Sequence, residues 1–296
     1  MGSRIGESRG SPPTVVAMAE ARGLRGLRNP AVIAGFGGWN DAGEAASGVI
    51  DHLVDRYKAE LAFAVDPEEF YDFQVNRPTT RLLDGHRIVE WPTTEVLVAS
   101  LPERDLVLIG GPEPNYRWQE YVSRLLSMLR SVKPEIVVLL GALLTDAPHT
   151  RPVPVTGTAS TVALAEELGL ELSDYEGPTG IVGVLAYECS RAGMPVVSMW
   201  ASVPHYVAEP PNPQGSLALL TRLEDVLNLP LDAGDLPKDA ENWMEQVNEL
   251  VSDDPDISSY INALEERRDE ATPTPSGDAI AAEFERYLRR RDRRRG

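Results

Sequence analysis

The sequence predicts an α/β fold in which helices cover both faces of a mostly parallel sheet, and three observations lead to this prediction. Short, continuous apolar runs recur between residues 31 and 202, and each has the length of a strand that is buried on both faces. Segments with apolar side chains at helical spacing follow most of these runs. Turn signals rich in Gly and Pro separate the two kinds of segment. Strands and helices that alternate in this way form a three-layer α/β/α domain.

The first strand and helix are predicted on either side of a glycine-rich turn. AVIAGF at 31–36 is a short apolar run that ends in glycines, as expected for a buried strand. Residues 41–57 place apolar side chains on one helical stripe, and Asn40 or Asp41 is available to cap the first turn. The order strand, tight turn and helix is therefore predicted at the start of the domain.

The remaining elements continue the alternation. Further strands are predicted at 61–65, 95–101, 106–111, 136–141 and 196–202. Further helices are predicted at 116–131, 160–168, 180–192 and 214–227, the last opened by Asn212-Pro213. The stretch 68–92 breaks the rhythm, and Asp84-Gly85 between two apolar pieces predicts an antiparallel hairpin there.

The chain is expected to divide into four parts. Residues 1–29 form a leader rich in Gly, Ser and Pro, and residues 30–228 form the α/β/α domain. Residues 229–270 form an acidic extension of two antiparallel amphipathic helices, packed on the sheet domain or on another subunit. Residues 271–296 combine a linker, 271–278, with a basic terminal helix that ends either as a solvated tail or on an acidic partner surface.

Composition excludes several functional classes. The 296 residues carry 46 acidic and 28 basic side chains, and this net charge of −18 repels nucleic acids, so we expect no nucleic-acid partner. No apolar run approaches 18 residues and no secretion signal is evident, which predicts a cytoplasmic protein without a membrane partner. The single cysteine, Cys189, cannot form an internal disulfide or a cysteine-rich zinc site.

The first candidate for a binding site is GFGGWNDAG at 35–43. The backbone amides that follow Gly37 and Gly38 are expected at the N-terminus of the helix, which is the positive end of its dipole. This position suits an anion or a carboxylate. Trp39, beside the short polar residues Asn40 and Asp41, then forms a wall of the site. The alternative is a tight strand-to-helix turn in which Asn40 or Asp41 serves only as a cap.

The second candidate, GGPEPNYRW at 110–118, also follows a buried strand. Ligands of parallel sheets gather at the carboxyl ends of the strands, so Glu113 and Tyr116 are expected to face the same crevice as Trp39. The alternative gives Glu113 a role as the negative charge at a helix N-terminus, with Asn115 as the cap.

Two further candidates lie near other strand ends. The loop 141–160 is long and rich in proline, and its Asp146, His149 and Arg151 supply an acid, a base and an anion binder within six residues. His205 follows the last strand and is a candidate for proton transfer. The alternatives are that the loop residues tie the loop to itself or to a neighbouring subunit, and that His205 is a hydrogen-bonded structural residue.

Several catalytic motifs are missing from the sequence. It contains no HExxH motif, no GxSxG nucleophile elbow and no Walker lysine, and its histidines and carboxylates do not cluster at metal-ligand spacing. Cys189 lies within an apolar helical run, which predicts an inert buried thiol. We therefore expect no metal and no cofactor.

Four blocks together resemble the PAC2 family in its actinobacterial branch. They are GFGGWNDAG, GGPEPNYRW, the loop GALLTDAPHTRPVPVTGTAS at 141–160, and GPTGIVG at 177–183. They occur in order within residues 30–225, and the C-terminal helices are also similar to that branch. The resemblance implies a phosphorylase/hydrolase-like core with appended helices and assembly as a homotrimer. Eukaryotic relatives act as proteasome assembly chaperones.

Two functions remain open from the sequence. The first is a non-catalytic binding and assembly protein, similar in role to the PAC2 chaperones, with proteasome subunits as partners. The second is a phosphorylase- or hydrolase-like enzyme acting on a small anionic or nucleoside-like metabolite. In this second case Trp39 stacks on the substrate, Glu113 or Asp146 binds its hydroxyls, and His149 or His205 transfers protons.

Overall fold

The computed structural model of the protein describes residues 22–271. Ten strands are present in this range: β1 (Ala31–Gly37), β2 (Glu60–Ala64), β3 (Thr79–Leu83), β4 (His86–Glu90), β5 (Glu95–Ser100), β6 (Asp105–Pro112), β7 (Ile136–Thr145), β8 (Val155–Ala159), β9 (Glu171–Leu172) and β10 (Val196–Pro204). Eight α-helices accompany them: α1 (Ala45–Tyr57), α2 (Pro67–Phe70), α3 (Trp118–Val132), α4 (Val162–Leu168), α5 (Ile181–Arg191), α6 (Pro213–Leu227), α7 (Leu236–Ser252) and α8 (Pro255–Ala271).

Eight of these strands form one sheet, in the order β2-β5-β6-β1-β7-β10-β8-β9. The four central strands, β6, β1, β7 and β10, are mutually parallel, so their carboxyl ends meet at one edge of the sheet. Antiparallel pairs occur only toward the margins, where β5 pairs with β2 and β6 and where β8 pairs with β10. The predicted mostly parallel sheet is confirmed.

Two apolar cores lie on opposite faces of the sheet, because successive residues of each central strand point to opposite sides. Ile33 and Val138 belong to the core under α1 and α6, whereas Val32 and Val137 belong to the core under α3 and α5. All four side chains are fully buried. Strands that are covered on both faces explain the continuous apolar runs of the sequence, and the predicted three layers are confirmed.

The predicted hairpin is also confirmed. Strands β3 and β4 pair in antiparallel register around Asp84 and Gly85, both of which have positive φ. Leu82, Leu83 and Val89 of this two-stranded sheet are exposed.

The prediction of a long unstructured loop at 141–160 is wrong. Strand β7 continues to Thr145 and β8 occupies Val155–Ala159, which leaves 146–154 as the connection. The sequence of β8, VTGTA, lacks an apolar run because this strand lies near the sheet margin and is only partly buried. Strand β9 and helix α2 escaped prediction as well, since each is too short to show periodicity.

The two C-terminal helices pack on α6 and on the 146–154 connection. Helix α7 packs along α6, and α8 folds back on α7. Val247, Val251 and Ile261 form a small apolar cluster between α7 and α8, with Tyr206 and Trp243 at its margin.

The predicted leader and terminal helix fall largely outside the described residues. Within the predicted leader, Leu24 is buried, and the Arg28 guanidinium forms an ion pair of 2.8 Å with Asp105 at the start of β6. The predicted linker and basic helix, 271–296, lie outside the described part except for Ala271. Between residues 22 and 271 no helix has the length and apolar character needed to cross a membrane.

Candidate functional site

The carboxyl edge of the four parallel strands carries most of the candidate residues. Trp39 follows β1, Glu113 follows β6, Asp146 follows β7, and His205 follows β10. The strand order β6-β1-β7-β10 therefore sets these four residues in a row along one edge of the sheet. This edge is where ligands of parallel sheets bind.

Glu113 ties three segments together at this edge. Its amide donates to the Gly37 carbonyl at 2.8 Å, and its Oε1 accepts a hydrogen bond of 2.8 Å from the Ile181 amide, in the first turn of α5. A carboxylate at this position satisfies an otherwise unpaired helix donor and complements the helix dipole. The expected role at a helix N-terminus is correct for Glu113, but the helix is α5 and not α3.

Gly180 is required beside this carboxylate. A Cβ at Gly180 would lie 2.3 Å from Asn40 Oδ1 and 2.9 Å from Glu113 Oε1. A Cβ here would displace the carboxylate of Glu113 and the buried amide of Asn40, which is held by its bond to Phe36, so the position favours glycine. The segment GPTG at 177–180 thus joins the ends of β1 and β6 to helix α5.

Asn40 and Asp41 are buried and hold the turn after β1. The Asn40 side chain donates from Nδ2 to the Phe36 carbonyl at 3.1 Å. The backbone carbonyl of Asn40 accepts from the Ala142 amide of β7 at 2.8 Å. Asp41 Oδ1 accepts from the Ala46 amide at 2.6 Å, and Oδ2 accepts from the Ser47 hydroxyl. Burial raises the pKa of Asp41, and these hydrogen bonds oppose that rise. The carboxylate of Asp41 thus supplies the negative group at the N-terminus of α1.

Trp39 is the opposite case, because 95% of it is exposed. Leu143 and Leu144, at the end of β7, are also exposed, at 48% and 51%. The bond between the Asn40 carbonyl and the Ala142 amide makes the two segments run side by side. We call Trp39, Leu143 and Leu144 the Trp39 patch. Leu143 and Leu144 are successive residues of β7 and so point to opposite faces of the sheet, which makes the patch a set of exposed apolar side chains around the sheet edge with Trp39 the most exposed of the three.

His149 is buried, with 1% of it exposed, and both ring nitrogens have partners. Nδ1 lies 2.8 Å from the Tyr206 hydroxyl, and Nε2 lies 2.9 Å from Asn248 Oδ1 on α7. The His149 amide also donates to the Tyr206 hydroxyl at 2.8 Å. Since Asn248 Oδ1 only accepts, the neutral ring carries its proton on Nε2 and accepts from Tyr206 on Nδ1. Burial lowers the pKa of His149 and favours this neutral form.

Arg151 anchors α8 to the 146–154 connection. Its guanidinium donates to both carboxylate oxygens of Asp269, at 3.0 and 2.8 Å, and to Glu265 at 3.3 Å. The Thr150 hydroxyl also donates to Glu265. The anion partners of Arg151 are thus two carboxylates of the same chain. The alternative expected from the sequence tied the loop to itself or to a neighbouring subunit, whereas Arg151 binds α8 and His149 binds α7 of the same chain.

Asp146 and His205 lie together on the surface. His205 Nδ1 is 3.4 Å from Asp146 Oδ1, which also accepts from the Tyr260 hydroxyl of α8 at 3.3 Å. The rings of Tyr206 and Tyr260 both pack edge-on against His205, with centroids 5.7 Å away. Asp146 and His205 therefore belong to the contact between the connection and α8.

Tyr116 and Asn115 contact α2 and the segment that follows it. The Tyr116 hydroxyl donates to Asp72 Oδ2 at 2.6 Å, and both amides donate to the Phe70 carbonyl of α2. Asn115 Oδ1 accepts from the Asp72 amide at 2.8 Å. The sequence predicted Asn115 as the cap of α3, and this is wrong. Helix α3 begins only at Trp118, and Asn115 instead holds the segment after α2.

The cysteine and the possible metal ligands offer no further candidate for catalysis within residues 22–271. The predicted burial of Cys189 is confirmed, and burial raises the pKa of its thiol to about 12, which disfavours the reactive thiolate. Across residues 22–271 no three His, Cys, Asp or Glu side chains are grouped so that they could hold a metal ion.

Sequence reasoning missed the residues that complete these contacts. Asn248, Glu265 and Asp269 lie on the C-terminal helices, about 100 residues or more after their partners in the chain. The apolar stripes of α7 and α8 indicated that the helices are packed but gave no sign of what they pack against. The GPTG segment was visible only as part of the family resemblance.

Comparisons with known proteins agree on one family. The sequence model described as PAC2 family matches residues 35–251. A PAC2 family protein from Streptomyces avermitilis is 49% identical, with a TM-score of 0.73, over 78% of this chain and 99% of that one. A proteasome-assembly chaperone homologue from Mycobacterium tuberculosis is 45% identical, with a TM-score of 0.71 and the same coverage. No curated protein matches the chain.

A more distant relative shares the fold. An archaeal homologue of proteasome-assembly chaperone from Pyrococcus furiosus has 20% identity and a TM-score of 0.55, over 82% of this chain and 96% of its own length.

Proposed function

This chain belongs to the PAC2 family, and from that premise we propose that it is a non-catalytic binding and assembly protein of the cytoplasm whose partners are proteasome subunits. The relative from Mycobacterium tuberculosis is described as a proteasome-assembly chaperone homologue, and it matches 78% of this chain at 45% identity. This similarity supports a shared role.

The observation that carries the proposal is how the polar candidates are used. Glu113 binds the first turn of α5, Asp41 binds the first turn of α1, and Arg151 binds two carboxylates of α8. A catalyst needs such groups to face its substrate. Here their hydrogen-bonding capacity holds the scaffold together, while Trp39 at the same edge is almost wholly exposed.

The alternative of a small-molecule enzyme requires a group that moves protons. His149 is buried with both ring nitrogens hydrogen-bonded, and His205 packs against two tyrosine rings beside Asp146. Within residues 22–271 no specific contact favours the enzyme over the assembly protein.

The Trp39 patch is the surface that we assign to the partner. A large aromatic side chain that is almost wholly exposed, beside two exposed leucines, has the composition of an interface hot spot. An apolar patch at a rigid strand end is suited to bind subunits that have not yet buried their own apolar interfaces.

Binding to unassembled proteasome subunits tests this assignment. We expect the full-length chain to co-purify with proteasome subunits of the organism that encodes it, and Trp39→Ala to weaken the association by about tenfold or more. Tyr187→Ala removes an aromatic ring that is also exposed, at 62%, and that lies on α5, and it should bind like the wild type. Equal binding by both variants would remove the patch from the proposal, and failure of the wild type to bind would reject the function itself.

We further propose a homotrimer with a phosphorylase/hydrolase-like core, as the family resemblance implies. The β3–β4 hairpin supports self-association, because Leu82 and Val89 are both exposed and lie on the same face of this two-stranded sheet. Light scattering coupled to gel filtration should give three times the 32.4 kDa mass of one chain. The double variant Leu82→Asp with Val89→Asp should have the mass of a single chain in the same measurement.

A further inference from the structure

Helix α8 covers part of the strand-end edge that carries Trp39. Its Tyr260 hydroxyl donates to Asp146 Oδ1 at 3.3 Å, and Asp146 directly follows β7. The Tyr260 ring packs edge-on against His205, with centroids 5.7 Å apart, and His205 directly follows β10. One residue of α8 therefore lies over the ends of two neighbouring strands. Trp39, which follows β1 on the other side of β7, stays exposed.

The contacts between α8 and the 146–154 connection are polar and partly open to water. Arg151 pairs with Asp269 at 2.8 Å and with Glu265 at 3.3 Å, and these three side chains are 33%, 59% and 24% exposed. The Thr150 hydroxyl also donates to Glu265. Ion pairs in such positions each stabilise a contact only weakly, and they exchange readily for contacts with water.

The apolar contribution of α8 is small. Of residues 255–270, only Ile261 and Leu264 are buried, and Ile257 is 37% exposed. Ile261 packs in the small apolar cluster that α8 shares with α7. Helices with few buried apolar contacts and solvent-exposed ion pairs belong to the parts of a fold that open locally at low cost. We therefore expect α8 to open while the sheet stays folded.

Opening of α8 would uncover an aromatic and apolar surface. Val247 and Val251 form the α7 side of the shared cluster, and Tyr206 lies at its margin. The Tyr206 and Tyr260 rings pack edge-on, with centroids 6.3 Å apart, so Tyr206 also loses a neighbour when α8 opens. The uncovered surface adjoins the Trp39 patch, because Asp146 comes only two residues after Leu144 in the chain.

The part of the edge that is exposed while α8 is in place is small for a protein partner. An exposed tryptophan offers at most about 250 Å², whereas a stable interface covers about 800 Å² on each partner. Leu143 and Leu144 add little to one face, since they point to opposite sides of the sheet. The row of strand ends continues under α8, so opening of this helix would enlarge the surface beside Trp39.

We propose that α8 is a displaceable cover of the partner site. It covers the ends of β7 and β10 in the free protein, and the partner that binds at Trp39 takes this surface when α8 opens. The proposal rests on the partner and the role proposed above, and it names what regulates binding at that site. Since the partner binds the open form, the apparent affinity rises in proportion to the fraction of molecules in which α8 is open.

Charge reversal at Arg151 in the full-length protein tests the cover. Arg151→Glu replaces the ion pairs with Asp269 and Glu265 by repulsion and should raise the affinity for unassembled proteasome subunits about tenfold, as measured by biolayer interferometry. Adding Asp269→Arg to Arg151→Glu restores an ion pair and should return the affinity to that of the wild type. Arg191→Glu is the matched control, because it changes the net charge equally at an arginine that pairs within α5, and it should bind like the wild type.

Amide hydrogen exchange in residues 255–271, measured without the partner, reports the opening itself. Faster exchange in Arg151→Glu together with wild-type affinity would overturn the cover, because the uncovered surface would then add nothing to binding. Unchanged exchange, or an affinity that stays raised in the double variant, would also contradict the proposal, since the gain would then come from the charge at residue 151. Absence of binding by both the wild type and Arg151→Glu would instead reject the proposed function, and the regulation with it.

Discussion

The carboxylate of Glu113 accepts a hydrogen bond from the amide of Ile181 at 2.8 Å, across 68 residues of sequence. This bond fixes the start of α5 to the end of β6, while the amide of Glu113 binds Gly37 at the end of β1. One residue thus joins two central strands and a covering helix. Its role is to set the geometry of the sheet edge that carries Trp39.

Glu113→Gln should destabilise the protein by about 1 kcal/mol, because it removes the negative charge from the N-terminus of α5. Glu188→Gln is the control, since Glu188 lies near the other end of the same helix and pairs with Arg191 on the surface. Urea unfolding of both variants measures the difference. If Glu113→Gln proves as stable as Glu188→Gln, the carboxylate has no structural role in this contact.

Gly180→Ala should be destabilising by about 1–3 kcal/mol, since its Cβ would overlap Asn40 Oδ1 at 2.3 Å and Glu113 Oε1 at 2.9 Å. Gly37→Ala provides the comparison. The nearest atom to a Cβ at Gly37 is Pro112 Cα, at 3.9 Å, so the loss of stability there should stay below about 0.5 kcal/mol. Thermal unfolding of the two variants separates a steric cause from a general cost of replacing glycine.

Most strands and helices of the sheet domain could be predicted from the sequence, because the residues that determine each element lie within that element or next to it. Strands β1, β6 and β7 are buried on both faces, and their apolar runs need no partner to be recognised. The cap at Asn212 was equally local, since its Oδ1 accepts from the Gly215 amide three residues later. Strand β8 could not be predicted from the sequence. It lies near the margin of the sheet, and Gly157 with three polar or small residues leaves it without an apolar run.

The candidate site was less predictable because its contacts join distant segments. The row of Trp39, Glu113, Asp146 and His205 follows from the rule that parallel strands end at one edge. That rule does not say which side chains bind protein and which face solvent. The partner of Glu113 lies 68 residues away and that of His149 lies 99 residues away, and neither distance leaves a trace in the local pattern.

Arg151→Ala should release α8 without unfolding the domain. It removes the hydrogen bonds to Asp269 and Glu265, which are the polar anchors of the last turns of α8. We expect faster amide hydrogen exchange in residues 255–271 and unchanged exchange in β1 and β7. Arg191→Ala is the control, because Arg191 pairs only within its own helix with Glu188. Unchanged exchange in α8 would show that this helix does not need Arg151, because its apolar packing and its hydrogen bonds to Thr150 and Asp146 suffice.

The same contact should weaken as salt is added. The ion pair of Arg151 with Asp269 is solvent-exposed, and exposed charges are screened by salt. Exchange in residues 255–271 should therefore rise with ionic strength in the wild type but not in Arg151→Ala. A salt response of equal size in both proteins would assign the effect to other charges of the acidic helices.

Acidification should loosen the contact between His149 and α7. The ring is neutral in the folded protein, with Nε2–H donating to Asn248 and Nδ1 accepting from Tyr206. Burial lowers the pKa of His149 below its usual value near 6.5, against a smaller opposing influence from the Asn248 hydrogen bond and the Glu265 charge. The unfolded chain therefore binds a proton at a higher pH than the folded one. The stability contributed by this site is complete above pH 6.5 and falls as the pH drops toward the folded pKa.

Comparison with a neutral variant isolates this effect from the carboxylates that also titrate. The free energy of unfolding should fall more between pH 7.5 and pH 5.5 in the wild type than in His149→Gln, whose side chain cannot bind a proton. His86→Gln, on the exposed hairpin, should follow the wild type at both pH values. Parallel curves for the wild type and His149→Gln would contradict the inferred neutral ring, because a group with the same pKa in both states adds no dependence on pH. The opposite result would be a wild type that becomes more stable than His149→Gln as the pH falls to 5.5. It would mean that the folded protein prefers the charged imidazolium, with Glu265 as its counter-ion.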